Sequence, residues 1–158
     1  ADVAGQWTTG WRMPVRRPAE VVCHGDFAPY NCVFIEGELV GVFDFDFAHP
    51  GPRLRDLACA LYRFAPLADP CASEGFGTPA EQARRMRIFC DAYGLAERTN
   101  VLDMVSDRVQ AMIDFLLEGL KVRDARRMAA VEGGHLRLCQ LELACLEQHR
   151  AELESGLM

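Results

Sequence analysis

VVCHGDFAPYNCVFIEGELVGVFDFDFAHPG, residues 21–51, is the stretch on which the reading of this chain turns. A His-Gly-Asp at 24–26 is followed, five residues past the aspartate, by Asn31, and two more aspartates, Asp44 and Asp46, stand inside an apolar run. Val21 to Cys23 read as a short β run entering the His-Gly-Asp. The segment CVFIEGELVGVFDF reads as a hairpin, with Val33 and Ile35 on one arm and Leu39 and Val42 on the other. They bracket a Glu-Gly-Glu turn at 36–38 in which Gly37 can take positive φ. The apolar run predicts a buried sheet, and an unpaired carboxylate at the end of one is costly. A divalent cation beside Asp44 would offset that cost. AHPGPR, from Ala48 to Arg53, reads as a loop by its prolines and glycine.

Downstream the periodicity changes. RLRDLACALYRF places Leu54, Leu57, Ala58, Leu61 and Tyr62 at helical spacing. Pro66 to Gly77 is a loop rich in Pro, Ala and Gly. TPAEQARRMRIFCDAYG then opens with Thr78 as N-cap, Pro79 at the first helical position and Glu81 three residues after the cap, and Gly94 stops it. The next helix shows Val101, Leu102, Val105, Val109, Met112, Ile113, Leu116 and Leu120 on one face. A last helix is predicted from about Arg123 to Glu154, with Gly133-Gly134 as a kink or break. A small hairpin followed by about four helices predicts an α+β fold that is mostly helical.

Upstream, residues 1–20 carry Trp7, Trp11, Pro14 and Pro18 with little periodicity, and read as a connector or remnant packed by its tryptophans. The first residue is Ala rather than Met, which reads as an internal cut or a processed end. No basic-then-apolar leader is visible, and no apolar run reaches the roughly 20 residues a membrane span needs.

The 158 residues suit one domain that buries roughly two-thirds of its unfolded surface. A net charge of −6 argues against a nucleic-acid surface and suits a cationic small substrate. Seven cysteines, an odd number with no Cys-x-x-Cys pair, read as buried thiols in a reducing cytosol. His24, His49, His135 and His149 lack metal-ligand spacing.

Transfer of a phosphoryl group to a hydroxyl needs a carboxylate to accept the hydroxyl proton and magnesium to offset phosphate charge. Magnesium takes hard oxygen ligands, with phosphates and waters completing its octahedron. HGDFAPYN followed by GVFDFD supplies these types in this order: Asp26 to face the acceptor, Asn31 and Asp44 to hold Mg2+ from the two ends of a hairpin. Asp46 is either a further metal ligand or a carboxylate salt-bridged to Arg53 or Arg55. Asp26 and Asn31 also have a plainer reading as turn residues that cap nearby amides.

These residues resemble the C-terminal lobe of the aminoglycoside phosphotransferase and choline kinase-like family, relatives of the protein kinases. The family's His-Gly-Asp-x-x-x-x-Asn loop corresponds to HGDFAPYN, its Asp-bearing strand end to VFDFDFA, and its Gly-x-x-x-x-Asp-Leu-Ala segment to GPRLRDLA. The resemblance implies an enzyme that transfers the γ-phosphoryl group of ATP to an alcohol. It implies Asp26 as catalytic base, Asn31 and Asp44 as magnesium ligands, and Asp56 as a brace accepting backbone N–H bonds from the catalytic loop. His24 would pack behind that loop and hold it to the Asp44 strand. On this reading residues 1–20 precede the lobe and 21–158 form it. Acceptor choice in the family sits in the C-terminal helices, where Glu118, Glu132 and Glu142 would suit a cationic amine.

The resemblance also implies a nucleotide lobe with a glycine-rich loop and a strand lysine. Neither precedes residue 21, and the only lysine is Lys121. ATP binding is therefore expected to be weak, and the surface meant for that lobe is expected to be exposed and to favour self-association. Two other readings stand beside the kinase: a non-catalytic remnant of the fold, and a metal-dependent phosphohydrolase using Asp26, Asp44 and Asp46.

Overall fold

The computed structural model describes residues 9–65, 67 and 76–158. They divide into two units that part between Phe64 and Ala65. Trp7, Cys71 and most of the Pro66–Gly77 loop lie outside the described residues.

In the first unit, β1 (Val21–Cys23), β2 (Cys32–Ile35), β3 (Glu38–Val42) and β4 (His49–Gly51) form two separate antiparallel pairs, β1 with β4 and β2 with β3. The hairpin turn is tighter than Glu-Gly-Glu. Ile35 pairs with Glu38, so Glu36 and Gly37 alone make the connection. Both have positive φ, 52° and 87°, the combination that matches a two-residue turn to the twist of its strands. An irregularity between Val33 and Phe34 shifts the register, since Val33 faces Gly41 while Phe34 faces Leu39.

Two expectations are overturned here. The hairpin is not a buried sheet: Val33, Phe34, Ile35, Leu39 and Val40 are 44–59% exposed. Asp44 follows β3 and is itself exposed, so no burial cost calls for a cation there. The segment read as a loop contains a strand, β4, with Val22 opposite Pro50 and Cys23 opposite His49. Proline and glycine masked that strand because they remove donors and side chains, yet the pairing tolerates them at a sheet edge. Residues before β1 reinforce the same edge: Arg16 N–H donates to Pro50 O at 2.9 Å and Glu20 N–H to Gly51 O at 3.0 Å. Met13 and Ala19, in the segment read as a connector, are buried.

Helix α1 (Arg53–Phe64) packs on β1 and is buried along most of its girth, with Arg55, Leu57 to Tyr62 all inside. The Glu20 carboxylate accepts Arg53 N–H at 2.9 Å, satisfying one donor that the first helical turn leaves over.

The second unit is helical: α2 (Pro79–Tyr93), α3 (Val101–Lys121), α4 (Ala125–Glu132), α5 (His135–Gln148) and α6 (Arg150–Leu157). The α2 capping box is present, with Thr78 Oγ1 accepting Glu81 N–H at 3.3 Å and Glu81 accepting Thr78 N–H at 2.7 Å. Gly94 closes α2 at φ 79°. The predicted face of α3 is buried from Val101 to Leu116, but Leu120 is exposed. The predicted last helix is three. Asp124 caps α4 by accepting Arg127 N–H at 2.9 Å. Gly133-Gly134 ends that helix, with Gly134 at φ 88°, and a second break falls at His149. No glycine or proline marks that second break. It lets Leu153 and Leu157 bury as α6 packs on α2, where a Cβ on Gly156 would stand 2.6 Å from that of Ala83.

The fold class is thus α+β and mostly helical, with six α-helices among the described residues where about four were expected. No helix of the described residues is long and apolar enough to cross a membrane.

Candidate functional site

The turn from β1 into the hairpin carries the site. Gly25 has φ +81°, and a Cβ there would come 2.3 Å from Phe47 O, so only glycine lets the chain reverse at this point. Asp56, in the first turn of α1, accepts both His24 N–H at 2.9 Å and Gly25 N–H at 3.3 Å through one carboxylate oxygen. Three residues on, the Cys59 thiol donates to Gly25 O at 3.3 Å. The helix therefore grips the glycine by both its amide and its carbonyl.

His24 ties the same turn to the end of β3. Its Nδ1 accepts the Asp26 amide at 3.3 Å, which leaves Nε2 to donate to Phe43 O at 3.0 Å. Its ring packs against Phe45 with centroids 4.4 Å apart. Asn31 ties the turn a second time. It is 4% exposed, and its Nδ2 donates to Asp26 O at 2.8 Å and Asp26 Oδ2 at 3.1 Å. Its own carbonyl accepts Phe43 N–H at 3.1 Å, so Asp44, the next residue, follows directly on the hydrogen-bonded partner of Asn31.

Asp44 has left-handed backbone, φ 63° and ψ 64°. Its carboxylate makes no hydrogen bond or ion pair with a described residue. Asn31 Oδ1 likewise receives no hydrogen bond from a described residue, its amide nitrogen being the group spent on Asp26. Two hard oxygen donors are thus left over at the open end of the hairpin, a donor set that suits Mg2+ with water and phosphate completing the shell. No three His, Cys, Asp or Glu side chains gather into a metal-holding group among the described residues. Asp46 is spent differently. It pairs with Arg12 at 2.7 Å, not with Arg53 or Arg55.

Two residues take roles that the sequence does not announce. Arg55 is 2% exposed and donates from Nε to His49 Nε2 at 3.2 Å, while His49 Nδ1 donates to Phe47 O at 2.9 Å. His49, read as a loop residue, is buried in β4. Tyr30 stands between Asp26 and Asn31 in sequence. Its hydroxyl donates to Asp26 Oδ1 at 3.1 Å. Burial of that hydroxyl, reinforced by the charge of Asp26 and opposed by Arg63, pushes the phenol up to about 12. Spacing alone does not announce this contact, since it depends on which way the Tyr30 side chain turns.

The other expected residues lie in the second unit. Glu118 is exposed and pairs with Lys121 at 3.0 Å, Glu132 ends α4, and Glu142 lies on α5. Cys23, Cys59, Cys90 and Cys139 are buried, and burial pushes the Cys23 thiol up to about 12.

Comparison with known proteins bears on the family of the chain. The trifolitoxin immunity protein of Rhizobium leguminosarum bv. trifolii is 34% identical over 80 residues, covering 49% of this chain and 31% of that protein. The chain thus spans less than a third of that relative's length. No solved structure matches the chain. The model of the phosphotransferase enzyme family matches residues 6–94, more than half of the chain and all of the turn, hairpin and first helix just described. With more than half of its length matched, the chain belongs to the phosphotransferase enzyme family.

Proposed function

We propose that residues 21–158 are the C-terminal lobe of a kinase-like phosphotransferase that moves the γ-phosphoryl group of ATP to the hydroxyl of a small molecule. The observation that carries this reading is the double grip of Asn31 on Asp26, because it aims a carboxylate and leaves an amide oxygen over in one stroke. Asp26 is the base: it orients the acceptor hydroxyl and takes its proton as the new bond forms. Asn31 Oδ1 and the Asp44 carboxylate are the residues that would hold Mg2+. When bound, magnesium neutralises charge on the phosphate oxygens. Asp56, Cys59 and His24 keep the turn rigid, so that Asp26 does not have to be ordered anew in each cycle. Asp46, held by Arg12, braces the loop behind Asp44 rather than binding the metal.

Lys121 pairs with Glu118 in the second unit, so these residues offer no lysine of their own to grip a triphosphate. ATP binding by this stretch is accordingly weak. Acceptors to be tried are aminoglycosides, choline-like amines and sugars. Trifolitoxin joins them because the relative is named for immunity to it.

Paramagnetic Mn2+ with ATP tests the site without relying on turnover. Amide signals of Asn31, Phe43 and Asp44 should broaden first, and Asp44→Ala should abolish the effect. Transfer to any acceptor should fall roughly a thousandfold in Asp26→Asn. Nucleotide-independent release of phosphate from a simple ester, lost in Asp44→Ala, would instead point to a phosphohydrolase.

A further inference from the structure

Both carboxylate oxygens of Asp26 already accept a hydrogen bond, and the two donors differ in kind. Oδ2 accepts from Asn31 Nδ2 at 3.1 Å. That amide is buried, and it also donates to Asp26 O at 2.8 Å. The Asn31 backbone is tied on both sides, its N–H to Ala28 O at 2.9 Å and its carbonyl to Phe43 N–H at 3.1 Å. For Asn31 to leave Oδ2, a buried amide must also give up its bond to Asp26 O. Oδ1 accepts from the Tyr30 hydroxyl at 3.1 Å, and Tyr30 is 57% exposed. The Arg63 guanidinium lies over its ring, with the guanidinium carbon 5.9 Å from the ring centroid. A rotation of this one exposed side chain gives up the Tyr30 bond to Oδ1 and leaves the Asn31 bonds to Asp26 in place.

On the phosphotransferase reading, an alcohol that gives its proton to Asp26 must bring its O–H within hydrogen-bond distance of one of those oxygens. The fixed amide favours approach at Oδ1. There the Tyr30 phenol already stands as a neutral O–H donor to a carboxylate, the same chemistry the acceptor brings. We propose that Tyr30 is a specificity-determining residue of the acceptor site: its hydroxyl fills the acceptor hydroxyl's place on Asp26 Oδ1, and an acceptor binds by displacing it. The inference rests on Asp26 being the base. It adds that every acceptor competes with an internal hydroxyl, so an alcohol too weakly held elsewhere to win that competition is rejected. A carboxylate oxygen has two lone pairs, and an acceptor that shared Oδ1 with the phenol would leave Tyr30 where it is. That difference is measurable.

The chain has three tyrosines, Tyr30, Tyr62 and Tyr93, so ring-labelled tyrosine gives an NMR spectrum simple enough to assign by substitution. In the full chain, Asp26→Asn should move the Tyr30 ring signals while those of Tyr93 stay in place. Titration with choline, kanamycin, glucose and glycerol should include at least one probe that moves the Tyr30 signals in the same direction. Tyr30→Phe should then bind that probe roughly tenfold more tightly, the scale of one lost charge-assisted hydrogen bond. In turnover, Tyr30→Phe should lower the acceptor KM by a similar factor, whereas a merely structural tyrosine would raise it or reduce kcat. The proposal is overturned if Asp26→Asn leaves the Tyr30 signals unmoved, if no probe moves them up to its solubility limit, or if Tyr30→Phe binds the probe no better. Asp26-dependent transfer with Tyr30 unmoved by the acceptor would overturn this inference and leave the function intact. Tyr30 displaced by a probe that is never phosphorylated would support the site and count against the function.

Discussion

Asn31 gives its amide nitrogen to Asp26 twice, at the backbone carbonyl and at the carboxylate, over 2.8 and 3.1 Å. One side chain thereby orders the turn and aims the carboxylate. Asn31→Ala should lose both functions. A hydrogen bond from a buried amide to a charged group contributes about 2 kcal/mol, and urea denaturation should show a loss of that size. Any phosphoryl transfer should fall roughly a hundredfold or more. Asn31→Asp should do worse, since it replaces the donor with a second negative charge against Asp26.

Gly25 is the position least able to accept a side chain. Its φ of +81° disfavours any L-residue, and a Cβ would meet Phe47 O at 2.3 Å. Gly25→Ala should therefore destabilise the first unit by roughly 2–4 kcal/mol, from strain and overpacking together. Circular dichroism melts of the full chain should show an early transition that the parent lacks.

The pH dependence of the second unit should centre on Glu147. Arg150 first, and then Ser106, hold its carboxyl down to about 2 from an ordinary value of 4.5. The folded chain thus releases this proton more readily than the unfolded chain. The resulting stabilisation is complete above about pH 4.5 and is lost as pH falls through about 2. Melting temperatures of the parent and of Glu147→Gln should differ most near neutral pH and converge across that window. A constant gap would contradict the assignment.

Gly156 tests how closely α6 lies on α2. Helix propensity alone favours alanine by up to about 1 kcal/mol. The Ala83 Cβ would stand 2.6 Å away, however, and overpacking costs about 1–3 kcal/mol. Gly156→Ala should be net destabilising by about 1 kcal/mol in chemical denaturation, against the direction that propensity gives.

Glu36 offers a gain. It sits at φ 52° in the two-residue hairpin turn, and a left-handed backbone costs an L-residue about 1–2 kcal/mol. Asparagine tolerates that region and precedes glycine in the favoured turn of this type. Glu36→Asn should raise stability by about 1 kcal/mol, read as a shifted denaturation midpoint with an unchanged slope.

How much of this was legible from the residues depended on whether the signal was local. The Thr78–Glu81 box, the Gly94 stop and the Gly133-Gly134 break are written in adjacent residues, and all appear. The hairpin was found, but its exposure was not, because an apolar run looks the same whether or not anything covers it. Strand β4 was hidden by Pro50 and Gly51, whose partner lies 28 or more positions upstream in β1. The break at His149 is dictated by the burial of Leu153 and Leu157, a tertiary demand. In the site, the order of Asp26, Asn31, Asp44 and Asp56 could be read from spacing. Arg12 beside Asp46 and Tyr30 on Asp26 could not, since each depends on where a side chain turns.

The left-handed backbone at Asp44 carries a message about descent. Aspartate and glycine codons differ by a single base, and glycine would adopt φ 63° with no steric penalty. Neutral drift in a lineage indifferent to the carboxylate would therefore move this position downhill in energy through a mutation that is always at hand. An aspartate that stays here resists that slope, and a survey of natural variants should find it purged of glycine in functional copies and replaced by it in decayed ones.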